Sequence, residues 1–212
     1  MKALESQQRI WKRELAFAQQ KTFWLHFALE AQACAAFLRM QWESAVMQRF
    51  GVDSALPGST NIAFFAPKFV RYLMGIALEN AVKGLLLSGP DRGQFIKSDR
   101  ISFGSKGHDL RWLFDEAGVS VTDDEAFYVS AWTISVEWFG RYPFPTQESR
   151  VLDEPQPLSS PEALVRRRLR GKRKYMHRDL LHGGIGHGEW AVFETVFRRL
   201  EQRYAAKPTA AE

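Results

Sequence analysis

A single cysteine in 212 residues has no internal partner, so disulfides do not hold this fold, and the reducing cytoplasm is the expected compartment. No apolar run approaches the roughly eighteen residues that a membrane span needs, and no membrane partner is expected. The first eight residues, from Met1 to Gln8, mix charges with amides where a secretory signal would be apolar. The sequence has no phosphate-binding loop, dinucleotide glycine fingerprint, paired-cysteine zinc site or Gly-x-Ser-x-Gly elbow. No cofactor and no metal are therefore expected. Glycine and proline are both missing from residues 1–50, which removes the usual helix breakers from the first quarter of the chain.

Apolar material is plentiful. A 45% hydrophobic share beside 25% charge describes a chain able to bury a core, and seven Trp with sixteen Phe make that core aromatic. Trp24, Ala28, Ala31, Ala35, Leu38, Trp42 and Ala45 recur at three- and four-residue spacing, with Phe23, Phe27, Cys34 and Phe37 widening the stripe. The pattern predicts one long helix, broken near Gln19–Thr22 and stopped at Gly51, with small residues that admit a close partner helix. Cys34, in its Ala-rich setting, reads as a small buried hydrophobe.

A second helix is expected with Pro67 in its first turn, Phe69, Leu73, Ile76, Asn80, Lys83 and Leu87 along one side, and an end at Ser88-Gly89-Pro90. Glu79 and Lys83 stand at the i, i+4 spacing of a supportive ion pair. Residues 90–107 read as a polar connection. A short helix from about His108 to Ala117 follows, where His108 and Asp109 cap and orient its start. Thr122 and Glu125 form a capping box for the next helix, along which Phe127, Ala131, Ile134 and Trp138 repeat. Residues 143–160 hold four prolines and predict an exposed loop; Ser160-Pro161 then opens a basic helix to about Leu181, and a last helix spans about 189–204. The expected architecture is an all-α bundle of five to seven helices over residues 1–206, with 207–212 as a disordered tail.

Charge is uneven. The net charge is only +5, yet residues 161–178 carry Arg166, Arg167, Arg168, Arg170, Lys172, Arg173, Lys174 and Arg178 against the single acid Glu162. Such a block favours a polyanion, RNA before membrane, because no apolar face accompanies it. His177, His182 and His187 are spaced by five, a step of about 140° on a helix that keeps them from converging on one metal. Arg178 and His182, four apart, share a helical face. Side by side they could cleave RNA without metal, the imidazole taking the 2′-hydroxyl proton and the guanidinium stabilising the phosphate.

The helix with Ala77-Leu78-Glu79-Asn80-Ala81-Val82-Lys83-Gly84, the sequence Gly107-His108-Asp109-Leu110 and the late His177-Arg178-Asp179-Leu180-Leu181-His182-Gly183 resemble the HEPN superfamily. More narrowly, they resemble bacterial proteins that carry Gly-His-Asp-Leu followed by Trp138-x-Gly140-Arg141-Tyr142-Pro143. The resemblance covers about residues 66–200. It implies an all-α bundle, often a homodimer, in toxin–antitoxin or phage-defence biology, in some members with a protein partner or antitoxin. Many HEPN domains are metal-independent ribonucleases with an Arg-x(4–6)-His motif. Here the residue five before His182 is His177, and Arg178 lies one position too close. Arg170 and His177 meet the spacing with six residues between, but a glycine follows Arg170. The preferred expectation is therefore a non-catalytic RNA-associated or regulatory module, with a His/Arg ribonuclease as the alternative and a structural or protein-interaction bundle behind it.

Overall fold

The computed structural model describes residues 10, 12–51, 59–97, 100–139 and 185–206. Within them the chain is all-α, with no strand and a lone antiparallel bridge between Ile96 and Ile101. The helices are α1 (12–18), α2 (Lys21–Gly51), α3 (Ser59–Ser88), α4 (Leu110–Glu116), α5 (Asp123–Phe139) and α6 (His187–Ala205). Among the described residues no helix is long and apolar enough to cross a membrane. The expected basic helix and the loop before it lie outside the described residues.

The break near Gln19 is present. The amide of Gln20 bonds the carbonyl of Phe17, three residues back, and the amide of Phe23 then bonds that of Gln20. The Trp24 indole donates to the Ala18 carbonyl at 2.6 Å, meeting one of the groups that the break sets free. Beyond it, α2 packs along α3 in the most extensive helix pairing of the fold. The small residues of the stripe make this approach close: Ala28, Ala31 and Ala35 of α2 are buried, as are Ala77 and Ala81 of α3. Cys34, expected inside, is exposed. It follows from helix geometry, because Cys34 stands one residue, or about 100°, away from Ala35. Phe27, one residue from Ala28, and Phe37, two residues or about 200° from Ala35, are exposed as well.

α3 is the hub, touching α2, α4, α5 and α6. A helix surrounded in this way must be apolar nearly all round, and Val70, Met74, Ala77, Leu78, Ala81, Val82 and Leu87 are all at most 1% exposed. One expectation for it fails. Pro67 lies inside the helix and not in its first turn, so a proline that cannot donate to the helical ladder is carried within it, in a buried position. Phe69 is exposed, because the buried surface follows Val70, Met74, Ala77 and Ala81.

α4 begins as expected at Asp109, whose carboxylate accepts from the Trp112 amide at 3.1 Å. It ends at Gly118, where φ of 60° suits glycine and the Val119 amide reaches back to the Phe114 carbonyl. Arg203 of α6 covers that end, donating to the carbonyls of Ala117 and Gly118. The Thr122–Glu125 capping box is formed in both directions, at 2.8 and 3.3 Å. Glu125 also receives two hydrogen bonds from Arg199, which hold its carboxyl below the usual carboxylate range against the opposing effect of burial. The connection at 90–107 is less polar in its packing than in its composition: Phe95 is buried and stacks on Phe103. Phe193 and Phe197 of α6 close the core against Trp132.

Two outcomes follow. An ideal Cβ on Gly84 would stand 1.9 Å from the Tyr204 hydroxyl and 2.8 Å from the Trp24 Cβ. Gly84→Ala should cost about 1–3 kcal/mol through overpacking, measured by urea denaturation, whereas Gly93→Ala, which meets nothing within 4 Å, should be near neutral. A depressed carboxyl stabilises the fold above its unfolded-state value and loses that contribution as pH falls through its folded value. The stability gap between the wild type and Glu125→Gln should thus hold at neutral pH and close as pH drops below 4.5, read by thermal melts.

Candidate functional site

Charged groups rarely enter a helix hub unless partners go with them, because an unpaired buried charge is costly. α3 buries Lys68, Arg71, Glu79 and Lys83, and two polar clusters form around it.

In the first cluster, Glu79 is the centre. Lys83, one turn along α3, donates its ammonium to the Glu79 carboxylate. His108, from the loop before α4, brings its Nδ1 to 3.1 Å from both carboxylate oxygens. A carboxylate can only accept, so Nδ1 carries the proton in this contact. The Lys83 ammonium also lies 5.1 Å from the Phe103 ring centroid, a cation–π distance. His108 therefore orients the start of α4 by fastening it to α3, and Asp109 alone caps it. The side chain of His108 remains 44% exposed while that of Glu79 is 6% exposed, so the imidazole is the most solvent-exposed part of this cluster. The expected Glu79–Lys83 pair is present, and it is buried.

In the second, Arg71 of α3 meets Glu189 of α6 in a two-pronged ion pair. Nε lies 2.8 Å from Oε1 and Nη2 lies 2.8 Å from Oε2. The Trp132 indole of α5 donates to the same Oε1 at 3.2 Å. Three helices meet on one carboxylate. Nothing in the sequence singled these residues out. Glu189, in the first turn of a helix, reads as a solvated complement to the helix dipole. Arg71 gave a faint signal as a cation among Val70, Leu73 and Met74.

His187, the third of the evenly spaced histidines, is exposed at the start of α6, its Nδ1 3.3 Å from Arg39 Nη2. The Arg39 guanidinium lies 4.8 Å from the Trp190 ring centroid and bonds Glu43 at 2.8 Å. Among the described residues no group of three His, Cys, Asp or Glu side chains could hold a metal ion. Trp138 lies within α5. Arg141 is outside the described residues, as are the basic Arg166, Arg167, Arg170, Lys172, Arg173 and Lys174 and the pairs Arg178 with His182 and Arg170 with His177. Chemically, both described clusters are fastenings: each spends a buried acid on cations or N–H donors from more than one element.

Arg71→Met leaves the Glu189 charge buried with only the Trp132 indole among the three donors, and should cost about 3–5 kcal/mol. Arg71→Met with Glu189→Leu should recover part of that loss, since no lone charge remains; a double-mutant cycle by chemical denaturation checks both. Comparison with known proteins finds no matching family model, no matching curated protein and no matching solved structure.

Proposed function

We propose that this chain is a HEPN-like helical protein acting as a non-catalytic, RNA-associated module in toxin–antitoxin or phage-defence biology, working as a homodimer or with a protein partner. The observation that carries the reading is the charge block: eight cations against one acid within residues 161–178. Neutralising phosphates with so dense a run releases condensed counterions, the main source of sequence-independent affinity for nucleic acid. The all-α fold is in keeping with the resemblance. The buried acids support the same division of labour. Glu79, Glu125 and Glu189 each accept from partners on other elements, which leaves them to fasten the bundle.

A ribonuclease reading has one specific observation behind it. Arg178 and His182 stand four residues apart, the spacing that puts a general base and an electrostatic stabiliser on one helical face. The offset from the family spacing makes it second.

One experiment separates the readings. Fluorescence anisotropy with a labelled single-stranded RNA should show affinity falling steeply with salt, by about 0.7 log units per tenfold salt for each phosphate neutralised. Reversing Arg167, Arg170 and Arg173 to Glu should remove most of the binding. Salt-independent binding, or binding indifferent to the reversals, favours a protein-interaction bundle with no nucleic-acid role. The same RNA, analysed on a gel, should stay intact. Chelator-resistant cleavage to 2′,3′-cyclic phosphate ends, reduced by about two to four orders of magnitude in His182→Ala, would instead establish the ribonuclease.

A further inference from the structure

Five cations of the described helices are closed off by acids: Arg39 by Glu43, Arg71 by Glu189, Lys83 by Glu79, Arg111 by Asp115 and Arg199 by Glu125. The connection between α3 and α4 is different. Residues 92–106 carry Arg92, Lys97, Arg100 and Lys106 against the single acid Asp99. All four cations are exposed, and none has an ion-pair partner among the described residues. Together with the eight cations and one acid of residues 161–178, this segment leaves the remainder of a +5 chain at −5. Excess positive charge is thus gathered in two stretches.

The backbone fixes how two of these cations stand. Ile96 and Ile101 form the antiparallel bridge, and both pack against the core with Phe103. One pair further on, the Lys97 amide donates to the Arg100 carbonyl at 2.8 Å. Facing residues of an antiparallel pair share a side, and successive pairs alternate sides. Lys97 and Arg100 therefore both point away from the core, with Cβ atoms about 4.5–5.5 Å apart, and like charges so opposed repel. The base beneath them is firm: Phe95 is buried and stacks on Phe103, and the Ser102 amide bonds the Phe95 carbonyl at 2.9 Å.

Building on the RNA-associated reading, we infer that Lys97 and Arg100 together hold one phosphodiester of the RNA backbone, a contact on the folded bundle in addition to the run at 166–178. A phosphodiester has two non-bridging oxygens, one for each cation, and its charge removes their repulsion. Composition favours phosphate over an acidic protein. Protein interfaces have apolar centres depleted in Lys, and none of the large exposed apolar side chains lies in residues 92–106. Backbone contacts to nucleic acid need only cations and N–H donors.

Fluorescence anisotropy of the full chain with a labelled oligouridylate tests the contact. Lys97→Glu with Arg100→Glu should weaken binding at least about tenfold and lower the log–log salt slope by about 0.7, the share of one phosphate on a single strand. Lys12→Glu with Arg198→Glu makes the same change in net charge at two other exposed cations and should cost less than about threefold. Both double variants should keep the wild-type helical circular dichroism. Without RNA, Lys97→Glu alone sets a carboxylate opposite Arg100 and should raise Tm by about 1–3 °C at low salt, a gain that about 1 M salt removes. If the wild type binds no RNA, the proposed function falls and this contact with it. If the wild type binds and reversal of Arg167, Arg170 and Arg173 abolishes binding, but the Lys97, Arg100 variant matches the Lys12, Arg198 control, this contact alone is overturned. Binding of poly-glutamate and not of the oligouridylate, lost in the Lys97, Arg100 variant, would assign the pair to an acidic protein and overturn it likewise.

Discussion

The Arg71–Glu189 ion pair is the contact on which the arrangement of the other helices depends. Its partners are 118 residues apart in the chain, and the carboxylate between them also takes the Trp132 indole proton. A buried carboxylate is tolerable only where its acceptor sites are filled, so α3, α5 and α6 must meet at one depth and in one rotation. Apolar packing alone is less demanding: Phe193 and Phe197 could slide or rotate against Trp132 at modest cost. The polar contact fixes which of those packings is kept. The Glu79 cluster acts in the same way at another point of the hub, tying α3 to the loop that starts α4 through Lys83 and His108. Two buried acids thus register three elements against the central helix.

Much of this was legible in the residues, and the parts that were not share a physical cause. Local signals read correctly: the break at Gln19, the Asp109 cap, the Thr122–Glu125 box and the Ser88-Gly89-Pro90 ending each depend on atoms a few residues apart. The Ala28, Ala31 and Ala35 face was visible because it packs on one neighbour. α3 was misread because it packs on four. Its burial runs nearly all round, so no one-sided pattern describes it, and a start at Pro67 cuts away its first two turns. Cys34 failed for a related reason, since an apolar residue type was allowed to stand for an inward direction. Its neighbours on the stripe were small, and one step of about 100° separates the packed side from the open one.

The candidate site shows the same limit more sharply. Glu79, Lys83 and His108 could be named from the sequence, but only as an i, i+4 ion pair and a helix cap. Their convergence depends on where α4 lands against α3, which no local spacing encodes. Arg71 and Glu189 carried almost no signal, because ion pairing across 118 residues is a tertiary fact. The resemblance to HEPN proteins is informative here in a limited way. Two of the stretches that carry it, around Glu79 and at Gly107-His108-Asp109-Leu110, meet at one carboxylate. A fastening of that kind is a requirement of the bundle and says nothing by itself about RNA.

On the proposed reading, fold and function are borne by different parts of the chain. The described helices spend their buried charges on one another: Glu125 on Arg199, Glu189 on Arg71, Glu79 on Lys83 and His108. Ion pairs closed in this way present little net field to a polyanion, since each cation lies within hydrogen-bond reach of its counter-charge. The run from Arg166 to Arg178 has the opposite character. With eight cations and no acid inside it, and only Glu162 just before it, it has too few local partners to neutralise itself, and like charges at such density repel. Relief requires negative charge from outside the run, and an extended polyphosphate supplies it at a spacing no single carboxylate can match. The functional proposal therefore rests on the charge density of that segment, while the polar clusters of the core account for the fold.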